Sequence, residues 1–368
     1  MCSQKYGKGV DEVFEKRLNQ LKQTMKNDKI DAIFLQSDIN CYYFSGFSGS
    51  SRQIVISLND SHFYTDFRYG DQAYEQVQNH EVSIAAQPII NSAIEQLKTY
   101  EPKVVGLEFS KVNTNDYLQL KESLPYAQFV NIDSDIANMR MIKDEVELTY
   151  FKRGMEIVDK TFTHILSYLK TGITENDLAL ELDYTMKKLG ADGIKENHVI
   201  ATGARASLPH GRATDKVIEH GDFVKMDFGA KVNGYYTDFT RTVIMGEASK
   251  KQIEIYNIVK EAQKAALQVI KPGAICSEID HVARSIIADA GYGENFGHSL
   301  GHSLGLEIHE SPSFRHTDNT ALEKGMVITV EPGIYIKDFG GVRIEDLVVV
   351  TDEGIDNLTK STKELQII

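Results

Sequence analysis

One pattern occurs twice in this chain and limits the available folds more than any other feature. The first copy runs Glu219-His220-Gly221, then Asp222 to Met226, then Asp227-Phe228-Gly229. The second runs Glu323-Lys324-Gly325, then Met326 to Val330, then Glu331-Pro332-Gly333. In each, a glycine turn leads into a strand-like run, a carboxylate follows, and a glycine stands two places on. The offset from glycine to carboxylate is the same in both. Each copy continues into a second strand bearing another carboxylate, Asp238 or Glu345, and each has a histidine upstream, His210 or His309. A fixed order of features repeated once predicts two related halves facing each other.

Composition narrows the class. A chain of 368 residues suggests about two domains. The hydrophobic share of 42% is enough for a sizeable core. A net charge of -13 argues against nucleic acid or an anionic membrane as partner. No apolar run approaches the ~18 residues of a membrane span. The stretch Met1 to Lys29 is charged and lacks an apolar core, so no signal peptide is expected. Cys2, Cys41 and Cys276 form neither a disulfide framework nor a thiolate metal motif, which fits a reducing, cytoplasmic setting.

In chain order, residues 11–28 predict an amphipathic helix, with Val13, Phe14, Leu18, Leu21 and Met25 on one face. Residues 31–36 read as a buried strand, and 53–58 with 61–66 as a hairpin turning at Asn59-Asp60. Ser45 to Ser50 is glycine-rich but lacks the ending of a phosphate loop, so it reads as an ordinary loop. These signals predict a smaller α/β domain over 1–138, with 131–140 as connector. Over 139–368, capping signals at Asp144, Thr174, Ser249 and Ser277 predict four helices. Strand signals between them predict an α+β domain, with helices on one side of an antiparallel sheet.

The chemistry concentrates in that second domain. On Tyr235 to Thr240, Tyr236, Asp238 and Thr240 share a face by the period of two. The turn Val232-Asn233-Gly234 predicts a hairpin that brings Asp227 toward Asp238. The same logic pairs Glu331 with Glu345. Face-to-face halves would gather four carboxylates, which repel strongly without cations. Divalent metals resolve this, and His302 adds a nitrogen ligand. Four carboxylates and one imidazole suit a pair of metals about 3.5–4 Å apart, a hydrolytic arrangement. Histidines beyond the coordination shell would hydrogen-bond a tetrahedral oxyanion. Any one of His210, His298 or His309 alone would more often be structural, but Leu208-Pro209-His210-Gly211 is loop-like, where functional residues concentrate.

Seven motifs together carry a resemblance: Leu208-Pro209-His210-Gly211, Met226-Asp227-Phe228-Gly229, Tyr236-Thr237-Asp238-Phe239-Thr240-Arg241-Thr242, His298-Ser299-Leu300-Gly301-His302, Ile308-His309-Glu310, Glu331-Pro332-Gly333-Ile334-Tyr335 and Gly341-Val342-Arg343-Ile344-Glu345-Asp346. The chain resembles the dinuclear metallopeptidases of the pita-bread fold, in the branch of aminopeptidase P and prolidase. The resemblance implies a pseudo-twofold pita-bread catalytic domain over 139–368, preceded by a creatinase-type N-terminal domain over 1–138. It implies Asp227, Asp238, His302, Glu331 and Glu345 as metal ligands, with Asp238 and Glu345 bridging. Glu331 would also shuttle a proton. It makes His210, His298 and His309 substrate-binding and transition-state groups, and Arg343 an orienting one. The cofactors implied are two divalent ions per chain, foremost Mn(II), with Co(II), Zn(II) or Fe(II) as alternatives.

The resemblance also implies cleavage of an N-terminal Xaa-Pro bond. That imide has no N–H and a fixed φ, so ordinary peptidase sites fit it poorly. Ser299 after the first histidine, with Tyr43 to Ser50 and Thr65 to Tyr69, looks more like aminopeptidase P than the dipeptidase prolidase. Longer proline-containing peptides are therefore the expected substrates, and Xaa-Pro dipeptides the alternative. Arg52 and Arg68 are the candidates for clamping a substrate carboxylate. Methionine aminopeptidases share the five ligands but usually lack the N-terminal domain. A creatinase-like enzyme or a metal-free binding protein on the same fold would be expected to lose ligands, and none is lost here. A homodimer is expected, because in this family the N-terminal domain often walls the partner's site.

Overall fold

The computed structural model describes residues 8–368 apart from Gln87 and Asn197. Cys2 and the start of the charged N-terminal stretch lie outside the described residues. The chain divides into two compact units, one up to Arg140 and one from Met141.

The first unit is α/β. Its strands are β1 (Ala32–Leu35), β2 (Gln53–Ser57), β3 (Ser61–Thr65), β4 (Glu81–Ile84), β5 (Val104–Leu107) and β6 (Gln128–Asn131), in the sheet order β4-β3-β2-β1-β5-β6. The β2–β3 hairpin is antiparallel, with Ile56 opposite Ser61. A helix over Lys8–Asp28 starts a turn earlier than its apolar stripe implied and buries Phe14, Leu18, Leu21 and Met25. Gly46, at φ +74°, ends the helix Asp38–Ser45, and the glycine-rich stretch continues as loop.

The second unit opens with α1 (Glu145–Tyr168), α2 (Glu175–Lys188) and, further on, α3 (Lys250–Val269). Asp144, Thr174 and Ser249 each close a capping box with the residue three places on. The fourth signal marks a real helix but not its cap. Helix α4 (Cys276–Asp289) starts before Ser277, and its N-cap Ile275 makes no side-chain cap. Asp280 is unavailable for capping because Arg284 and the Leu300 N–H hold its carboxylate.

Its strands fall into four sheets rather than one. They are β7 (Gly193–Ile194), β8 (Val199–Thr202), β9 (Phe223–Phe228), β10 (Ala230–Val232), β11 (Tyr235–Tyr236), β12 (Phe239–Ile244), β13 (Gly301–Ser303), β14 (Glu310–Phe314), β15 (Val327–Val330), β16 (Gly333–Ile336), β17 (Gly340–Arg343), β18 (Asp346–Val350) and β19 (Ile355–Asn357). The sheets run β11-β10-β7, β12-β9-β8, β14-β13-β15-β18-β19 and β16-β17. The duplication is visible in their order. Strand β9 leads through the hairpin β10–β11 back to its antiparallel partner β12, and β15 leads through β16–β17 back to β18. Asn233 (φ +47°) and Gly234 (φ +84°) make the first hairpin's tight turn. Helices α3 and α4 cover the second half through Val259, Ala262, Ala266, Ile279, Ala283 and Ile287, in one apolar cluster with Ile328, Val330, Val348 and Val350.

The predicted strand Tyr235 to Thr240 is broken at Thr237 and Asp238. There the Thr237 carbonyl oxygen passes so close to Gly229 that a Cβ on the glycine would lie 1.8 Å from it. Thr237 instead donates its N–H to the Ala230 carbonyl. The glycine two places after the first carboxylate thus permits a close backbone crossing.

Candidate active site

The repeat delivers the carboxylates. Asp227 lies on β9, and Asp238 immediately precedes β12. Glu331 immediately follows β15, and Glu345 immediately precedes β18. Because β9 pairs with β12 and β15 with β18, each half brings its own two carboxylates to one end of a strand pair. The halves join at the same point. The Glu345 N–H donates to the Thr240 carbonyl, and the Thr240 hydroxyl lies 2.6 Å from Glu345 Oε2.

Asp227, Asp238 and Glu345, all buried, each offer an oxygen within 4.8 Å of the others. His302 Nε2 lies 3.3 Å from Glu331 Oε1 and 3.9 Å from Asp238 Oδ2. His302 Nδ1 faces the Ser303 carbonyl at 3.0 Å, so the proton belongs on Nδ1 and the Nε2 lone pair is free to coordinate. All five residues expected around a metal pair therefore stand together. The other histidines stand around them. The His309 and His302 rings are 4.4 Å apart between centroids. His298 Nδ1 pairs with the Ser299 carbonyl, and its Nε2 lies 2.9 Å from the Tyr335 hydroxyl. Arg343 touches Asp227, the Thr240 hydroxyl, the Tyr335 hydroxyl and the Pro209 carbonyl next to His210.

Electrostatics follow from this crowding. Burial pushes the Glu345 carboxyl well above its usual range, and Asp238 and Glu331 add to the effect. Burial takes Asp238 up to about 6, against the pull of Lys195 and with a push from Asp227. Burial would raise Asp227 too, but Lys195 and Arg343 outweigh it and hold that carboxyl low. Burial and then Arg343 push His298 down to about 3; burial and then His302 push His309 down to about 4. His210 is lowered by burial and then Arg343. The three imidazoles outside the carboxylate set are therefore neutral at neutral pH, each with one N–H to donate.

The residues fit a divalent metal centre. Among the described residues, Glu345 Oε1 has no hydrogen-bond partner and is buried, an arrangement that costs free energy unless a cation completes it. Lys195 and Arg343 bring two positive charges to four carboxylates, so full ionisation of the cluster needs further positive charge, in keeping with the raised Glu345 carboxyl. Oxygen and imidazole donors suit borderline and hard divalent ions.

Several groups were missed from the sequence. Lys195 reaches Asp227 and Asp238 from the segment after β7, and no spacing or motif marks it. Lys225, two places before Asp227, is buried and donates to the Ala206 and Leu208 carbonyls, which anchors the loop carrying His210. Tyr335 lay in a quoted motif without a role. In the first unit, Arg52 bonds the Phe47 and Gly49 carbonyls, and Arg68 pairs with Asp66. The donors proposed for a carboxylate clamp are thus engaged within that unit.

Known proteins agree with this architecture. The family model "Creatinase/Prolidase N-terminal domain" matches residues 17–142, and "Metallopeptidase family M24" matches residues 149–352. The Xaa-Pro dipeptidase of Pyrococcus furiosus is 40% identical over 95% of this chain and 99% of its own. The solved Xaa-Pro dipeptidase from Bacillus anthracis superposes with a TM-score of 0.93 at 41% identity, covering 96% of this chain and 100% of its own. The X-Pro aminopeptidase from Thermotoga maritima does so with a TM-score of 0.88 at 37% identity, covering 92% and 98%. With its creatinase-type N-terminal domain and its pita-bread catalytic domain, the chain belongs to metallopeptidase family M24 and is an enzyme, a peptidase.

Proposed function

We propose that this enzyme hydrolyses Xaa-Pro dipeptides, and that residues 139–368 carry the chemistry. The observation that supports it is the gathering of Asp227, Asp238, His302, Glu331 and Glu345 around the unpartnered Glu345 Oε1, in a chain so similar to Xaa-Pro dipeptidases. Those five residues would hold two divalent ions, foremost Mn(II). Such ions supply Lewis acidity, acidifying water and polarising a carbonyl. Glu331, raised by burial against the pull of Arg343, takes a proton from the attacking water and delivers it to the leaving secondary amine nitrogen of proline. His210 and His309 hold the substrate and donate N–H groups to oxygen as it gains charge, while His298, whose one N–H goes to the Ser299 carbonyl, lines the substrate site and accepts from the Tyr335 hydroxyl. Arg343 fixes the Pro209 carbonyl and so the placement of His210. The working enzyme is a cytoplasmic homodimer in this reading.

The expectation of longer substrates gives way here. Relatives and neighbours named for an Xaa-Pro dipeptidase or prolidase activity outweigh the Ser299 and Tyr43 to Ser50 signals. The similarity to an X-Pro aminopeptidase keeps that activity as the second reading. One comparison decides: an Xaa-Pro dipeptide against Xaa-Pro-Pro and longer peptides under Mn(II), with products read by mass spectrometry. Cleavage of the dipeptide alone is expected, and preference for the longer peptides overturns the dipeptidase reading. Chelation should abolish either activity.

A further inference from the structure

Lys195 brings a positive charge of the chain's own to the carboxylate cluster. It lies between Ile194, the end of β7, and Val199, the start of β8. Its Nζ stands 2.5 Å from Asp238 Oδ1 and also donates to Asp227 Oδ1. Both oxygens belong to the ligand set proposed above. A divalent ion held by the same two carboxylates would stand in the ammonium's place or directly against it, and like charges in contact repel strongly where water is scarce. Lysine and ion compete for one place.

We propose that Lys195 is a built-in competitor for the metal position formed by Asp227 and Asp238. Its ammonium must leave the pair before an ion settles there, so the chain holds that ion more weakly than its ligands alone would. This rests on the dinuclear reading of the site.

The contrast with Arg343 carries the argument. Arg343 is anchored by neutral groups as well as by charge, namely Thr240, Tyr335 and Pro209. Among the described residues, the side-chain hydrogen bonds of Lys195 go to the two carboxylates, so its hold on the site depends on their charge. Its backbone is fixed, since its N–H donates to the Gly229 carbonyl. The flexible four-carbon stem can therefore swing away without moving the chain. While paired, the lysine offsets the repulsion between Asp227 and Asp238, two carboxylates gathered within 4.8 Å of each other and of Glu345. It keeps the ligands assembled and at the same time lowers their affinity for metal.

The test is a calorimetric titration of chelator-stripped protein with Mn(II), comparing wild type with Lys195→Met. The variant should bind one ion about tenfold or more tightly than wild type does. Its stripped form should melt below the stripped wild type, and its loaded form should not. Equal affinities with both proteins folded overturn the proposal and leave the dinuclear reading standing. No metal uptake by either protein overturns both. A second measurement uses wild type alone, with lysine reductive methylation mapped by mass spectrometry. Lys195 should be modified faster in Mn(II)-saturated protein than in stripped protein, and equal or slower modification overturns the proposal.

Discussion

Gly229→Ala tests whether the close crossing beside Asp227 sets the geometry of the site. The alanine Cβ would lie 1.8 Å from the Thr237 carbonyl oxygen, whereas Cβ contacts below 3.0 Å are essentially never seen. The backbones must separate by at least about 1.2 Å, and because both groups are backbone, no rotamer change relieves the clash. Gly229 lies two places after Asp227, and Thr237 lies immediately before Asp238, so the movement pulls two carboxylates apart. A misplacement near 1 Å costs on the order of 10²-fold in rate, or about 2.7 kcal/mol of transition-state stabilisation. Crowding in the surrounding core adds about 1–3 kcal/mol of destabilisation. Gly354→Ala is the control, because its Cβ would meet nothing within 4 Å. The assay is kcat/KM on an Xaa-Pro dipeptide at saturating Mn(II), with metal content and circular dichroism measured in parallel. A folded Gly229→Ala enzyme within about threefold of wild type in both activity and metal content would refute the reasoning.

Two further predictions concern histidines. His210→Ala and His309→Ala should each lower kcat by on the order of 10²–10³, the usual loss for one oxyanion donor, with metal content unchanged; a variant that keeps its fold but loses metal would identify that histidine as a ligand. In the first unit, His80 pairs with the Ser61 hydroxyl and the Phe44 carbonyl, and burial lowers it to about 4. Its unfolded value is about 6.5, so between those values the unfolded chain binds more protons, and stability falls on acidification by at most about 1.4 kcal/mol per pH unit. The melting temperature of His80→Gln should depend less on pH over that window than that of wild type, and equal slopes would count against it.

The carboxylate repeat was legible because its message is carried by order and spacing. Glycine, apolar run, carboxylate and glycine return in sequence, and strand pairing then converts sequence neighbours into spatial ones. The capping boxes at Asp144, Thr174 and Ser249 were legible for a similar reason, since both partners lie within one helical turn. What stayed hidden depends on contacts distant in sequence. Ser277 and Asp280 carried a capping signal, but Arg284 and Leu300 hold that aspartate. The break before Asp238 comes from the crossing at Gly229, which no period of two reveals. Lys195 stands in a stretch without pattern, and only the folded chain places its ammonium between two carboxylates. The single antiparallel sheet was too simple because the β10–β11 and β16–β17 hairpins each leave the strand pair that they connect.

The strand–hairpin–strand unit seen in both halves bears on ancestry. One unit alone brings two carboxylates to the end of a strand pair, which is half of a complete set. Two identical copies meeting across a twofold axis would already assemble four. Fusing two such units into one chain leaves each free to carry its own residues, and the two halves here differ: aspartates in the first, glutamates in the second, and a lysine that bonds both aspartates.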